Sequence, residues 1–174
     1  LGDVYKRQDE SGCNTDMTRR YAYSLGGSRA VDSAPLSKPK NTTILSSIQL
    51  DGTLRYTTFS GGTTVERFKR YLETDWLPHL NGNSVLIMDN MRSHHAKAVR
   101  NLLDSSGIRY IYLPPYSPDL NPIEKLWSKV KSFLRKFKAR TLDALPNAIQ
   151  CAFQTVSPSD CSGWFHSCGY SPYF

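Results

Sequence analysis

The sequence predicts a mixed α/β sheet with helices on both faces, and three observations indicate it. Residues 42–50 and 53–59 flank Asp51-Gly52, a dipeptide typical of hairpin turns, so they predict antiparallel strands. Residues 85–88 and 108–113 are short apolar runs separated by a helical pattern, which is typical of parallel strands. The remaining amphipathic segments supply the helices that cover the sheet.

The beginning of the chain gives weaker signals. Residues 1–8 predict no strand, because Lys6, Arg7 and Gln8 are polar and few of their neighbours are apolar. We interpret residues 1–8 as a lead-in or a fragment edge and expect one domain over residues 9–174. Residues 20–25 alternate in polarity and predict a strand, followed by a loop.

Apolar residues at helical spacing predict the helices. One is expected over residues 63–77, and another begins at a Ser93 cap and ends at Gly107. Asn121 and Pro122 are typical of a helix start, with asparagine as the cap and proline at the first helical position. An amphipathic helix with Pro146 near its start and a final helical turn follow.

Composition narrows the class of protein. The 174 residues are 39% hydrophobic and 21% charged, which is typical of one globular domain. The chain contains neither an apolar run of membrane-spanning length nor a signal segment, so we expect a cytoplasmic protein without membrane contact. The four cysteines lack C-x-x-C spacing, which favours reduced thiols over a structural zinc site.

The charge is basic and unevenly distributed. The formal net charge is +7, and residues 121–140 contain seven basic residues against one acid, Glu124. Such a run has two interpretations, a solvated helix face or a track for the phosphates of nucleic acid. Under the second interpretation the candidate DNA-binding residues are Lys125, Lys129, Lys131, Arg135 and Lys138.

Acidic residues suggest a metal site. Asp89 directly follows the strand at residues 85–88, at the sheet edge where α/β proteins bind ligands, although an Asx turn or a helix cap would also explain it. Glu124 could reach back to the amide of the Asn121 cap, but it also lies beside the apolar stripe, facing the same side as Lys131.

A third carboxylate would allow two metal ions to bind. Asp9 is the natural candidate, and Asp3, Glu10 and Asp16 compete for this place because spacing does not choose among them. Two ions held by three carboxylates can stabilise both the attacking and the leaving oxygen when a phosphodiester is displaced in line.

Three motifs resemble a known family. They are DESG at residues 9–12, DNMRSH at residues 89–94, and LPPYSPDLNPIE at residues 113–124 with Trp127 beyond it; 34 residues separate Asp89 from Glu124. In these features the chain resembles the catalytic domain of transposases of the mariner superfamily, in the bacterial insertion-sequence branch. The resemblance extends from about Asp9 to Tyr170.

The resemblance implies a ribonuclease H-like fold with a catalytic and metal-binding triad of Asp9, Asp89 and Glu124. It implies two Mg²⁺ or Mn²⁺ ions, with Asn90 and His94 next to the active site. Similar enzymes cut double-stranded DNA at the ends of the mobile element with water, and the freed 3′-hydroxyl then attacks target DNA, usually at TA. A homodimer on DNA, associated with the bacterial nucleoid, is also implied.

Two departures from the family pattern accompany the resemblance. Residues 1–8 are less apolar than the family's first strand, and an N-terminal helix-turn-helix region that reads the element's ends is missing. Two other functions stay open at this point. One is a ribonuclease H-like nuclease without strand transfer, and the other is an inactive remnant that only binds nucleic acid or self-associates.

Overall fold

The computed structural model describes residues 4–36 and 39–170, and its centre is a mixed five-stranded sheet. The strands are β1 (Val4–Cys13), β2 (Thr42–Gln49), β3 (Leu54–Ser60), β4 (Ser84–Met88) and β5 (Arg109–Tyr112). They lie in the order β3-β2-β1-β4-β5. The β1–β2 and β2–β3 pairs are antiparallel and the β1–β4 and β4–β5 pairs are parallel, so the predicted mixed sheet is confirmed.

The central strand β1 is the main correction to the sequence analysis. The absence of a strand over residues 1–8 was wrong for residues 4–8, while residues 1–3 lie outside the described part of the chain. Arg7 is fully buried, with its guanidinium carbon 4.1 Å from the centroid of the Tyr170 ring. Lys6 reaches across to donate from Nζ to the carbonyl of His79 at 3.4 Å. Contacts distant in sequence therefore cover the polar ends of these side chains.

The β2–β3 hairpin forms as predicted. Its turn is closed by the amide of Gln49, which donates to the carbonyl of Thr53 at 2.9 Å. Gly52 has φ +89°, and a Cβ atom there would lie 2.7 Å from Cα of Pro158. Because of this positive φ and this close approach, the turn requires glycine.

The segment between β1 and β2 is irregular, so the strand predicted over residues 20–25 is wrong. Tyr21 is 90% exposed and Tyr23 105% exposed, and residues 20–25 do not pair with any of the five described strands. Alternating polarity predicts a strand only where one face can be buried, and here neither face is.

Five α-helices are divided between the two faces of the sheet. They are α1 (Val65–Tyr71), α2 (Lys97–Ser106), α3 (Ile123–Phe137), α4 (Ala144–Gln154) and α5 (Pro158–Ser167). The first two pack with Leu45, Leu86 and Met88 on one face. The last three pack with Ile44 and Ile48 on the other.

The helix predicted over residues 63–77 forms as three consecutive helical segments, of which α1 is only the first. Thr64 caps it, and after Tyr71 the chain continues as a π-helical segment, Leu72–Trp76, and a 3₁₀ turn, Leu77–His79. Phe68, Leu72 and Trp76, which share the predicted inner stripe, are all buried.

The α2 helix begins later than predicted, because residues 92–95 form a turn and Ser93 does not cap it. That turn carries His94 back to the end of β4, which is a long-range contact that helical spacing cannot reveal. Gly107, with φ 69°, ends the helix as expected. The next strand, β5, was predicted to be buried but is a sheet edge, with Ile111 50% exposed.

The α3 helix carries the predicted apolar stripe. Its buried members are Ile123, Leu126, Trp127, Val130 and Leu134. Asn121 was expected to cap this helix, but its side chain makes no capping hydrogen bond. The side-chain Nδ2 of Asn121 donates to Asp9 instead. Pro146 lies in the first turn of α4, where a proline is tolerated.

All four cysteines are free, as the sequence analysis expected. Within residues 4–36 and 39–170, no helix is long and apolar enough to cross a membrane.

Candidate active site

The parallel register of β1 and β4 places two acids side by side. Val4 lies opposite Ser84, and Arg7 lies opposite Ile87. The same offset carried two residues further puts Asp9 level with Asp89. Because neighbouring strands are about 4.8 Å apart, these acids meet at the carboxyl end of the parallel pair.

Asp9 is buried and held by the start of α3. Its Oδ2 accepts from Nε1 of Trp127 at 3.3 Å and from Nδ2 of Asn121 at 3.5 Å. Its Oδ1 accepts from the amide of Glu10 at 2.7 Å. Donors from two chain segments therefore fix the orientation of this carboxylate.

The electrostatic environment of Asp9 shows that the three acids are close together. The pKa of Asp9 is raised to about 7, mainly by burial and in part by the negative charges of Asp89 and Glu124, while the hydrogen bonds from the Glu10 amide and from Trp127 oppose the rise. The charges on all three predicted triad residues therefore act on one another.

Asp89 is partly exposed, and two contacts to one of its carboxylate oxygens orient its side chain. Its Oδ1 lies 2.7 Å from Nδ1 of His94 and accepts from the amide of Met91 at 3.1 Å. The second contact is the Asx turn that the sequence left open as an alternative, and it coexists with a place at the edge of the pocket.

His94 is fully buried behind Asp89. Its ring lies 4.2 Å, centroid to centroid, from the ring of Phe68, and its carbonyl accepts from the hydroxyl of Tyr112 at 2.9 Å. Nε2 of His94 has no hydrogen-bond partner in the described residues. Asn90 has an exposed side chain, and its Oδ1 contacts Nε2 of His95.

Glu124 is exposed on the first turn of α3. The capping alternative is not realised, because the amide of Asn121 donates to the carbonyl of Pro118 at 3.0 Å. Glu124 and Asp89 instead line the same open pocket of about 470 Å³. Residues 113–118 complete its wall, and among them Tyr116 has φ 57°, a conformation rare outside glycine.

Two of the three competing acids, Glu10 and Asp16, lie in the described part of the chain. Glu10 follows Asp9 and so projects from the opposite face of β1, where burial raises its pKa. Asp16 lies in the irregular segment, in a groove shared with Lys131. Asp3 is outside the described residues.

The donor set suits a hard divalent cation. Carboxylate oxygens are the ligands that Mg²⁺ and Mn²⁺ prefer, and a cation would neutralise the repulsion that Asp9 experiences. In the described part of the chain, no group of three or more histidine, cysteine, aspartate or glutamate side chains lies close enough together to hold a metal ion as the side chains are placed. Asp9 and Asp89 are oriented by their neighbours, and Glu124 is the exposed member.

The predicted DNA-binding residues do not all share one environment. Lys129 pairs with Asp160 at 2.6 Å and Lys138 with Asp32 at 2.6 Å. Lys131 and Arg135 lie on the Glu124 side of α3 and line the groove that contains Asp16. Lys125 is exposed next to Glu124.

Sequence reasoning missed two supports of the site. The sequence analysis noted Trp127 beyond the third motif and treated Asn121 as a helix cap, but it connected neither residue with Asp9, to which both donate. Their spacing gave no such signal, because the two residues are six positions apart and neighbours on a helix face are three or four apart.

The family model of the DDE superfamily endonucleases matches residues 7–146, and the chain belongs to this family. Its five-stranded sheet has a ribonuclease H-like fold, which it shares with the catalytic domain of Mos1 mariner transposase at a TM-score of 0.69 and 18% identity, covering 94% of this chain and 76% of that one.

Particular proteins are similar to this chain. The transposable element Tc1 transposase of Caenorhabditis elegans is 30% identical over 83 residues, which cover 48% of this chain and 30% of that protein. The Mos1 transposase paired-end complex with the left transposon end superposes with a TM-score of 0.78 at 19% identity, covering 94% of this chain and 52% of that one. The mariner Mos1 paired-end complex with Mg gives 0.71 at 17% identity, covering 95% and 52%. The chain thus spans under a third of the curated relative and about half of the Mos1 chain.

The raised pKa of Asp9 predicts a pH-dependent stability of the metal-free chain. The unfolded carboxyl ionises near its ordinary pKa of about 3.9, whereas the folded one ionises near 7. The folded state is therefore penalised increasingly as the pH rises from about 4 to 7. We expect Asp9→Asn to remove this penalty and to exceed the wild type in free energy of unfolding by at least about 1 kcal/mol at pH 7, with a smaller difference at pH 4.

Urea unfolding in EDTA, followed by tryptophan fluorescence at several pH values, measures this difference. If the difference in free energy of unfolding between the two proteins stayed constant from pH 4 to pH 7, the assigned environment of Asp9 would be contradicted. Saturating Mg²⁺ should favour the wild type instead, because the carboxylate then has a cationic partner.

Proposed function

We propose that this chain is the catalytic domain of a DNA transposase, which cleaves DNA with divalent metal ions and transfers the freed 3′-hydroxyl into target DNA. The observation that carries the proposal is the placement of Asp9 on β1 level with Asp89, which directly follows the adjacent parallel strand β4. Glu124 lines the same pocket as Asp89. Membership of the DDE superfamily of endonucleases supports the reaction class.

In this proposal Asp9, Asp89 and Glu124 hold two Mg²⁺ or Mn²⁺ ions. Bound ions of this kind acidify water and stabilise charge on both oxygens of an in-line phosphoryl displacement. The chain itself orients the ligands. Trp127 and Asn121 fix Asp9, while the open pocket lined by Glu124 leaves room for a phosphodiester.

His94 is proposed to position Asp89. Its Nδ1, 2.7 Å from Oδ1 of Asp89, contacts one carboxylate oxygen and does not occupy the other. Packing against Phe68 holds the ring in place. Asn90 is proposed to act next to it, since its side chain lines the same pocket.

Double-stranded DNA is the proposed substrate, both as the ends of a mobile element and as the target, with TA as the target site. Lys125, Lys131 and Arg135 are the principal proposed phosphate contacts. Lys129 and Lys138 contribute less, because each would have to leave an acidic partner. A homodimer on DNA is also proposed; the structures that this chain resembles include a Mos1 paired-end complex with a transposon end.

Substitution of the triad should separate catalysis from folding. We expect Asp89→Asn and Glu124→Gln each to lower Mg²⁺-dependent nicking of plasmid DNA by more than about a hundredfold. Both should keep or slightly increase the melting temperature in EDTA, because they remove mutual repulsion among the acids. The assay measures supercoiled plasmid converted to nicked circles, with Glu73→Gln as a surface control that should nick like the wild type.

Nicking at the wild-type rate by either triad variant would refute the assignment. Two other functions are tested alongside. A chain that only binds nucleic acid would show no metal-dependent nicking at all. A nuclease without strand transfer would nick but would give no joined products from a pre-cut element end.

The positioning role of His94 predicts weaker metal binding. We expect His94→Asn to raise the dissociation constant for Mn²⁺, measured by electron paramagnetic resonance, by about tenfold. The Mg²⁺ concentration for half-maximal nicking should rise in parallel, and high Mg²⁺ should restore part of the activity. His166→Asn, on the exposed surface of α5, is the matched control. Unchanged Mn²⁺ affinity in a folded His94 variant would leave His94 a purely structural residue.

The phosphate track predicts a salt dependence. Each phosphate contact to duplex DNA contributes about 0.9 to the slope of log affinity against log salt concentration. We therefore expect the double variant Lys131→Ala and Arg135→Ala to flatten that slope by about 1.8. Lys69→Ala, on α1 and paired with Glu73, should leave it unchanged. If the DNA affinity of the wild type did not change with salt concentration, the proposed phosphate contacts of Lys131 and Arg135 would be rejected.

A further inference from the structure

The irregular segment between β1 and β2 displays aromatic side chains to solvent. Tyr21 and Tyr23 are fully exposed, and Leu25 beside them is 90% exposed. Exposed aromatic residues that cluster in one segment typically mark a surface that binds a ligand or a macromolecular partner. Neither the fold nor the proposed active site uses them.

The tyrosines lie in a groove with cationic walls. This groove, of about 670 Å³, is lined by Tyr21 and Tyr23, by Arg19 and Arg20 from the same segment, and by Arg135 and Lys136 from α3. Arg20 and Arg135 also line a neighbouring groove of about 360 Å³, which Lys131 shares with Asp16. The surface thus combines five cations, two aromatic rings and one acid.

Contacts on both sides of the tyrosines tie the segment to the rest of the domain. Nη1 of Arg140 donates to the carbonyls of Thr15 and Met17, each at 3.1 Å. Further along, Nζ of Lys138 pairs with Asp32 at 2.6 Å. An anchored segment loses less conformational entropy when a ligand binds to it.

The groove is close enough to the active site to hold the same nucleic acid. Arg135 follows Glu124 by eleven residues on α3, and at about 1.5 Å per residue this is about 16 Å along the helix. At about 3.4 Å per nucleotide, a strand would cover this distance in about five nucleotides.

We propose that this groove binds a DNA strand with unpaired bases, whose phosphates contact the arginines and whose bases stack on Tyr21 and Tyr23. Cations that follow the backbone and aromatic rings that stack on bases are the combination by which proteins bind single strands. The inference rests on the proposed function only for the identity of the polymer as DNA. The five cations around the tyrosines favour a polyanion over a second copy of the chain, whose own formal net charge is +7.

The test compares two DNA ligands in EDTA, where no cleavage occurs. One is a blunt duplex and the other is the same duplex with an overhang of about eight nucleotides, both labelled for fluorescence anisotropy. We expect the wild type to bind the overhang more tightly. The double variant Tyr21→Ala and Tyr23→Ala should lose about tenfold or more on the overhang and less than about twofold on the blunt duplex.

Two matched variants isolate stacking. The double variant Tyr21→Phe and Tyr23→Phe keeps the rings and should bind the overhang like the wild type. Leu36→Ala, in the same segment but outside the groove and equally exposed, should also bind like the wild type. In the unaltered chain, an overhang that contains 5-iodouracil should crosslink to Tyr21 or Tyr23 on irradiation.

Three results would overturn the inference. They are equal affinity of the wild type for both ligands, equal loss on both ligands in the alanine variant, and loss of self-association in that variant with DNA binding intact. The last result would assign the surface to a second copy. Metal-dependent nicking is measured separately, so a chain that nicks without preferring overhangs loses only this inference. A chain that prefers overhangs without nicking loses only the proposed function.

Discussion

The pairing of β1 with β4 is the constraint on which the site depends. Its parallel register places Asp9 level with Asp89, and a shift by one residue would turn one of the two carboxylates to the other face of the sheet. The strand that carries Asp9 also holds a buried Arg7, whose guanidinium lies against the ring of Tyr170 and whose nitrogens have no hydrogen-bond partner among the described residues. The chain thus accepts a costly polar central strand, which also carries an acid of the proposed active site.

Each carboxylate of the triad is supported by a different part of the fold. Asp9 depends on donors from the start of α3, and Asp89 depends on a histidine that the turn before α2 brings back to the sheet. Glu124 is carried by the helix that supplies the Asp9 donors. A rotation of α3 would therefore disturb two of the three acids together, which couples the packing of that helix to the geometry of the site.

Positive charge and negative charge are arranged along the same helix. Glu124 begins the exposed side of α3, and Lys131 and Arg135 follow on that side, where the irregular segment adds two arginines. A polyanion drawn to this surface is guided toward a cluster of acids that would otherwise repel it. Divalent cations would resolve that conflict, since they screen the acids and bind the phosphate at once.

The sequence by itself determined the hairpin, the helices and the end of β4 at Asp89, because these follow from local periodicity, turn residues and glycine positions. It also indicated Asp89 and Glu124 as candidate metal ligands, whereas the choice of Asp9 over the competing acids came from the resemblance to the mariner superfamily. Only the tertiary structure decided that residues 4–8 form the central strand, that residues 20–25 do not form one, and that Asn121 and Trp127 serve Asp9. The reason is physical. Local patterns record which side chains prefer burial, whereas a buried arginine, an exposed tyrosine or a shared carboxylate depends on partners that lie far away in the chain.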